Sequence, residues 1–193
     1  MRGQAVRSSY PEGSSGKPSP RSGPGLLCHN RHVSQPVKDR PKQLDSPVVH
    51  RVMKYAARAQ VWSYRRTNGR IGGKWHVGSA FRKPVPVLLL DHVGRKSGTR
   101  FTTPLLYLDD SPDLVVVASQ GGMAKNPQWF FNLMAHPDTQ VQVGAELRRV
   151  RARVADEAER AALWPRLVEM YADFASYATW TDRVIPVVVL EPR

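Results

Sequence analysis

The segment 94–98, Gly-Arg-Lys-Ser-Gly, is the part of this chain whose residue types most clearly suggest chemistry. It follows the apolar run 85–90, which is typical of a buried strand. A tight turn here would bring two cations, a hydroxyl and several backbone N–H groups together, and glycine would let a ligand approach the backbone closely. The sequence predicts an anion-binding turn; a surface hairpin with solvated cations is the alternative.

A second segment of similar character, 119–129, follows another apolar run. It begins with Ser-Gln-Gly-Gly, and Asn126 followed by Pro127 predicts the start of a helix with Asn126 as its N-cap. The N-terminus of a helix favours an anion. Trp129 would offer a flat ring face beside this turn, or it would pack in the core. Two such turns predict one ligand with a phosphate or a carboxylate-rich tail.

Four aromatic residues, Tyr171, Phe174, Tyr177 and Trp180, recur at intervals of three. An aromatic stripe with this spacing on a helix more often marks core packing than catalysis. Polar residues lie between the aromatic ones, which also suits the exposed wall of a pocket. The sequence leaves both interpretations open.

The sequence excludes several other kinds of site. Its six histidines form no i, i+4 pair and no His-Glu-x-x-His motif, and Cys28 is the only cysteine, so no metal site is predicted. The sequence has neither a nucleophile-elbow motif nor a phosphate- or dinucleotide-binding glycine motif. It has no apolar run of about 18 residues that would predict a membrane span, and a single cysteine fits a reducing, cytoplasmic setting.

Positive charge is concentrated in one part of the chain. The formal net charge is +13, and residues 46–105 hold twelve Lys and Arg against one acid, Asp91. The partner of this region should therefore be an anion. Nucleic acid is the obvious alternative to a small ligand, but helix-turn-helix, zinc-finger and aromatic RNA-binding motifs are absent, so we predict no nucleic acid.

Two regions differ in composition. Residues 1–45 contain 18 Pro, Gly and Ser, which predicts a disordered basic tail because such a segment buries too little apolar surface to offset its ordering entropy. Residues 46–193 predict one folded domain. Its first element is a basic amphipathic helix over 46–66, with Ser46 as N-cap and Pro47 in the first position.

The apolar stripe of this helix comprises Val48, Val52, Tyr55, Ala59 and Trp62. The stripe could lie on the core of the domain, or the helix could act as a lid or lie on a membrane surface. Six strands are predicted further on, at 85–92, 101–108, 113–119, 139–144, 147–155 and 184–190. Helices are predicted at 126–135 and from the N-cap Asp156 to about Tyr171. Taken together, these strands and helices predict an α+β fold, mostly β, with a small antiparallel barrel and flanking helices.

Together these segments resemble the deazaflavin-dependent nitroreductase family, the split-barrel oxidoreductases of actinobacteria that use coenzyme F420. The resemblance covers about residues 61–192, and its most specific stretches are 94–98, 119–129 and 164–183. It implies an FMN-binding-protein-like split β-barrel of about six antiparallel strands. It also implies 8-hydroxy-5-deazaflavin, coenzyme F420, as the cofactor; this coenzyme carries a phosphate and an oligoglutamate tail.

The resemblance further implies roles for individual residues. The cofactor-binding residues would be Arg95, Lys96, Ser97 and Gly98 at the phosphate end, and Ser119, Gln120, Gly121, Asn126 and Trp129 along the groove. The catalytic residues would be Tyr171, Tyr177 and Ser119, and the substrate contacts would be Phe174, Tyr177 and Trp62. The chain departs from the family pattern at three positions. Gln120 replaces a lysine, Phe174 replaces a tyrosine, and Arg100 lies one residue before the usual arginine.

The implied reaction is transfer of a hydride from reduced F420 to an electron-poor acceptor, with a quinone favoured and a nitroaromatic compound as a second acceptor. Tyr177, Tyr171 or water could deliver the proton. The alternative function is a non-catalytic protein that stores or presents the coenzyme. The basic helix 46–66 suggests a cytoplasmic protein with peripheral contact to the inner face of the membrane.

Overall fold

A computed structural model describes residues 47–81 and 83–193, so the predicted tail 1–45 and the Ser46 N-cap lie outside the described residues. The described helices are α1 (Pro47–Arg66), α2 (Gln128–Ala135), α3 (Glu157–Met170) and α4 (Asp173–Thr179). The described strands are β1 (Lys74–Trp75), β2 (Val85–Val93), β3 (Arg100–Asp110), β4 (Asp113–Val117), β5 (Asp138–Val143), β6 (Glu146–Val154) and β7 (Val187–Pro192). Short 3₁₀ helices lie at Gly78–Phe81 and Gln120–Gly122.

Six of the described strands form a closed antiparallel barrel in the order β2-β3-β4-β7-β6-β5. The barrel closes where Leu89 and Leu90 of β2 pair with Gln142 and Val141 of β5. The short β1 pairs with the start of β2. The predicted antiparallel barrel of about six strands with flanking helices is therefore confirmed, and the predicted strand ends differ from the observed ones by up to three residues.

Side-chain alternation along the strands divides the core into layers. Leu88 and Leu90 of β2 point into the barrel, and Phe130 and Leu133 of α2 pack against this interior cluster. Residues of β4 and β7 that point outward pack under α3 and α4: Val115, Val117, Val187 and Val189. Both faces of these strands are thus buried, which explains why they read as unbroken apolar runs.

The C-terminal half of α1 is attached to the outside of the barrel. Tyr64 is 1% exposed and packs with Val87 and Leu89. Its hydroxyl donates to the Val87 carbonyl (2.9 Å) and accepts from the Gly144 N–H (2.8 Å). One phenol therefore ties α1 to β2 and to the turn between β5 and β6.

The apolar stripe predicted to anchor α1 does not do so. Val52, Tyr55 and Trp62 are 61%, 61% and 71% exposed. Val61 and Tyr64, which lie on a different side of the helix, make the core contact instead. The interpretation that this stripe packs on the core is therefore wrong for its described members, and the stripe faces outward.

The two predicted helix caps that lie within the described residues have different outcomes. Asp156 caps α3 as predicted, because its Oδ1 accepts from the Glu159 N–H at 2.8 Å. The prediction of Asn126 as an N-cap is wrong: α2 begins at Gln128, and Pro127 occupies the cap position without a side-chain hydrogen bond. The reason is competition, since the Asn126 side chain accepts from the Arg183 guanidinium at 2.6 Å.

Candidate functional site

A groove of about 1340 Å³ lies between α1, α2 and the hairpin that joins β2 to β3. α1 contributes one wall, which includes Val61 and Trp62. The hairpin contributes residues 94–97 and 99–103, and the first turns of α2 contribute Gln128, Trp129 and Asn132. Local sequence explains this shape, because the Gly-rich turn ends β2 abruptly and Pro127 starts α2 beside it.

Six cationic side chains line the groove, and no carboxylate does so among the described residues: Arg58, Arg65, Arg66, Arg95, Lys96 and Arg100. Arg65 is partly neutralised by an exposed ion pair with Asp91 (2.8 Å). The other cations carry their charge into the groove without an ion pair in the described structure. A concave site with one sign of charge concentrates ligands of the opposite sign.

The 94–98 turn is held in shape by its own backbone. The Gly94 N–H donates to the Thr99 carbonyl, and the Gly98 N–H donates to the Gly94 carbonyl, both at 2.8 Å. Gly98 has φ +66°, a left-handed conformation that costs glycine little. The guanidinium carbon of Arg95 lies 4.9 Å from the centre of the Phe131 ring. The turn is therefore ordered while its cations stay exposed.

A chain of buried polar groups supports this turn from below. The Asn132 Oδ1 accepts from the Arg95 backbone N–H (3.1 Å), and the Asn132 Nδ2 lies 3.0 Å from His92 Nδ1. His92 Nε2 lies 3.0 Å from the Thr103 hydroxyl, and its ring stacks on Phe101 with centroids 5.6 Å apart. Burial lowers the pKa of His92, and the nearby Asp91 charge opposes this only in part. His92 is therefore neutral at neutral pH.

The loop that follows β4 is organised by one arginine, Arg183. Its Nη2 donates to the carbonyls of Ala118 (3.1 Å) and Ser119 (2.8 Å), and its Nε donates to that of Met123 (2.9 Å). With the bond from Nη1 to Asn126, the guanidinium makes four hydrogen bonds to this loop. Burial lowers the pKa of Arg183 from its very high ordinary value, and the group stays charged.

The predicted aromatic series forms a cluster around α4. Tyr171 and Phe174 are 5% and 3% exposed, and their rings meet edge to face at 5.1 Å. The hydroxyls of Tyr171 and Tyr177 are 3.3 Å apart. Burial first, then the hydrogen bond to Tyr177 and the charge of Asp173, raise the pKa of Tyr171 well above its usual value. Burial also raises the pKa of Tyr177.

The predicted site residues fall into two groups. Arg95, Lys96, Ser97, Trp129 and Trp62 line the groove, and Gly98 closes the same turn. The second group does not line the groove: Ser119, Gln120, Gly121, Asn126, Tyr171, Phe174 and Tyr177. This second group is contiguous, because a Cβ placed on Gly122 would lie 2.9 Å from the Tyr177 carbonyl. The loop 119–127 links the groups, since it runs from this cluster into α2.

His92, Asn132 and Arg183 are functional candidates that were not predicted from the sequence. Asn132 is a buried polar residue among the apolar residues of α2, and His92 is a polar residue within a largely buried strand. A buried polar residue of this kind needs a partner, which is the signal that could have found them. The described residues contain no cluster of His, Cys, Asp and Glu suited to a metal ion, and none of the described helices is long and apolar enough to span a membrane.

Comparisons with known proteins agree on one family. A family model described as F420H2-dependent quinone reductase matches residues 56–192. An F420H2-dependent quinone reductase of Mycobacterium tuberculosis is 38% identical over 133 residues, which cover 67% of this chain and 85% of that protein. A second M. tuberculosis protein, provisionally given the same name, is 56% identical over 117 residues, which cover 61% of this chain and 98% of that protein.

Two solved structures are similar in fold and sequence. One, described as an F420-H2 dependent reductase, has a TM-score of 0.52 and 38% identity, over 55% of this chain and 94% of that chain. The other, described as a domain-swapped dimer, has a TM-score of 0.53 and 33% identity, over 76% of this chain and 100% of that chain.

Proposed function

Because this chain belongs to the F420H2-dependent quinone reductase family, its cofactor is coenzyme F420 and its reaction is the reduction of a quinone, and we propose that the groove between α1, α2 and the 94–98 turn binds that coenzyme. The single observation that supports this placement is the lining of six cations without a carboxylate among the described residues. Because F420 has a phosphate and an oligoglutamate tail, it is a polyanion, and the charge of the groove fits it.

Each part of the groove has a distinct task in this proposal. The exposed cations of Arg95 and Lys96 bind the phosphate end, and the Ser97 hydroxyl is available to the same anion. Trp62 covers flat apolar surface, and Trp129, which is 6% exposed and packs in the interior cluster, helps to exclude water from the groove. When bound, reduced F420 supplies a hydride to the acceptor. The task of the protein is to hold donor and acceptor close together and in line.

We place the acceptor and its proton source at the aromatic cluster around α4. Tyr171 and Tyr177 keep their phenolic protons at neutral pH because burial raises both pKa values. Ser119, Gln120 and Gly121 lie on the loop that connects this cluster with Trp129 in the groove. An extended coenzyme could therefore have its charged end at the 94–98 turn and its ring end at this loop. Nitroaromatic compounds are a second acceptor class to assay beside the quinone.

The groove assignment is tested by removing the two turn cations. Arg95→Ala combined with Lys96→Ala should weaken F420 binding about a hundredfold or more, because charge-assisted contacts contribute roughly 1.5–3 kcal/mol each. The salt dependence of binding should also decrease. Titration of the protein with F420, followed by fluorescence at several salt concentrations, measures both quantities.

A matched control separates a specific site from a general charge effect. Arg70→Ala combined with Lys74→Ala removes the same charge from exposed positions that do not line the groove, and it should change affinity little. Equal losses in the two double variants would show that only the overall field matters. Flavin mononucleotide, which lacks the oligoglutamate tail, should bind more weakly than F420 to the parent protein.

We also propose that α1 brings the protein to an anionic membrane surface, where apolar quinones reside. Its exposed residues include the apolar Val52 and Tyr55, which do not line the groove, and the cations Arg58 and Arg66, which do. An amphipathic basic helix of this kind lies in the lipid headgroup region. This arrangement favours a cytoplasmic protein that contacts the inner face of the membrane.

Vesicle sedimentation tests the membrane proposal. Vesicles containing anionic lipid should retain the protein, and Val52→Ser combined with Tyr55→Ser should release it without changing F420 affinity. Leu147→Ser combined with Val184→Ser is the control, since both residues are exposed apolar residues outside α1. Equal retention of all three proteins, or no retention of the parent, would contradict a role for α1.

A further inference from the structure

The hydrogen-bond chain beneath the 94–98 turn has only one consistent direction. The Arg95 backbone N–H can only donate, so the atom of Asn132 that it contacts at 3.1 Å is the carbonyl oxygen. The amide nitrogen of Asn132 then faces His92 Nδ1 at 3.0 Å and must donate to it. His92 Nδ1 is therefore an unprotonated acceptor. The ring proton sits on Nε2, which donates to the Thr103 hydroxyl at 3.0 Å.

A second proton on His92 is incompatible with this arrangement. A proton on Nδ1 would face the amide protons of Asn132, and the amide would have to rotate by half a turn to accept it. After that rotation, the Asn132 NH₂ group would face the Arg95 N–H, which places two donors against each other. Asn132 and His92 are 6% and 7% exposed, so water cannot readily replace the lost partners.

From this geometry we propose that His92 is a positioning residue that acts through Asn132 to hold Arg95 and the 94–98 turn, so that F420 affinity depends on the neutral form of His92. This inference rests on the proposed function, because it concerns the anion-binding turn of the same groove. Neutral His92 keeps the turn in its binding shape. Protonated His92 releases the Arg95 backbone and weakens binding.

The electrostatic surroundings of the ring are consistent with a neutral histidine. Asp91 on its own strand is the charged group that acts on the ring, and the cations that line the same groove are Arg58, Arg65 and Arg66 on α1 and Arg95, Lys96 and Arg100 on the hairpin. α2, which carries Asn132, contributes no charged residue. Burial lowers the pKa of His92 and Asp91 raises it, with burial the larger effect. The switch therefore operates below the usual histidine pKa of about 6.5.

One experiment follows the coupling in the free protein, without the coenzyme. Nuclear magnetic resonance spectra recorded between about pH 5 and pH 8 should show the Arg95 amide titrating together with the His92 ring. In Asn132→Ala the His92 ring should still titrate, but the Arg95 amide should no longer follow it. An Arg95 amide that is insensitive to pH in the parent, or that follows His92 equally in Asn132→Ala, would overturn the proposal.

The second experiment measures F420 affinity for matched variants across the same pH range. His92→Asn places an amide oxygen near the position of Nδ1, so it keeps the acceptor and removes the titration. Its affinity should stay within about threefold of the parent at neutral pH, whereas His92→Leu, which leaves the Asn132 donor unpaired, should bind about tenfold more weakly. His136→Asn changes an exposed histidine outside the groove and should behave as the parent throughout.

Dividing the parent affinity by the His92→Asn affinity at each pH cancels any effect that titration of the coenzyme itself has on binding. The ratio should fall as the pH drops below about 6.5, because only the parent can protonate at this position. A ratio that does not change with pH, or that rises in acid because an extra cation attracts the polyanion, would overturn the proposal. If F420 binds elsewhere, affinity will not respond to any of these variants, yet the coupling between Arg95 and His92 will still be visible in the free protein.

Discussion

At the scale of single residues, burial determines which protons are available near α4. The Tyr171 and Tyr177 hydroxyls are 3.3 Å apart, and burial raises the pKa of each. A phenol with a raised pKa is a weaker acid, but it stays protonated over a wider pH range. Loss of a proton donor through phenol ionisation should therefore not limit activity until the pH exceeds about 10.

We expect Tyr177→Phe to lower the turnover of reduced F420 with menadione roughly ten- to a thousandfold, the range of a lost general acid that water partly replaces. The ring and its buried surface are kept, so F420 affinity should not change. In the parent, the rate should be flat from neutral pH to about pH 10. Stopped-flow oxidation of the reduced coenzyme measures these rates.

Tyr55→Phe is the control for this measurement, because Tyr55 is an exposed tyrosine on α1. It should leave turnover unchanged. Parent-like turnover in Tyr177→Phe would limit Tyr177 to packing. If the parent protein does not oxidise reduced F420 with any quinone, the carrier function becomes the better description.

At the scale of secondary-structure elements, two anchors hold parts of the site to the barrel. Tyr64 holds α1, with one hydrogen bond to β2 and one from the turn before β6. Arg183 holds the loop after β4 with four hydrogen bonds. Each anchor is one side chain that connects the element to a distant part of the chain.

Tyr64→Phe should destabilise the protein by about 1–3 kcal/mol, because the partly buried Gly144 N–H loses its partner while the ring is kept. Thermal unfolding followed by circular dichroism measures this. F420 affinity should fall as well, because α1 contributes a wall of the groove. Tyr55→Phe removes a hydroxyl from an exposed position on the same helix and should have no effect; equal effects of the two changes would contradict the anchoring role.

Arg183→Met should cost roughly 3 kcal/mol or more, since it leaves several loop carbonyls without donors. The control is Arg166→Met, which breaks a half-exposed ion pair with Asp110 (2.8 Å) and should cost about 0–1 kcal/mol. Chemical denaturation gives both values. A cost for Arg183→Met no larger than that of the control would show that the loop keeps its shape without the guanidinium.

The elements themselves were largely predictable from sequence, and their mutual contacts were not. The apolar runs of β2 and β4 and the cap at Asp156 are local signals, and the structure has them where the sequence predicts them. The sequence left the orientation of α1 open, and its core-packing interpretation is wrong, because both Trp62 and Tyr64 suit a buried face and only the barrel decides between them. The role of Asn126 depends on an arginine 57 residues further along the chain, which no local rule contains.

At the scale of the whole molecule, charge and composition were informative about the kind of ligand but not about its exact position. The excess of cations in residues 46–105 predicted an anionic partner, and in the structure several of these cations line one groove. The sequence could not show that Ser119 and Tyr177 lie in a separate group, because that separation depends on how the loop 119–127 packs against α4. The prediction that residues 1–45 form a tail that does not fold lies outside the described residues and stays a prediction.

Deletion of residues 1–45 should leave the melting temperature and F420 affinity nearly unchanged, because a Pro-, Gly- and Ser-rich segment buries little apolar surface. Differential scanning calorimetry and coenzyme titration of the shortened and full-length proteins test this. A clear drop in melting temperature would show that the segment packs on the barrel. A drop in affinity alone would show that its basic residues contribute to binding the coenzyme.

The position of β7 in the barrel constrains how this protein is made. β7 is the strand that joins β4 to β6, so one edge of each keeps its backbone hydrogen-bonding groups unpaired until residues 187–192 are available. The hairpin and α2, which carry much of the groove, are synthesised well before that point. A growing chain on the ribosome therefore exposes two unpaired edges, and we expect wrong strand pairing to be most frequent just before synthesis reaches β7. Proteolytic loss of β7 would leave a chain that aggregates rather than a weakened reductase.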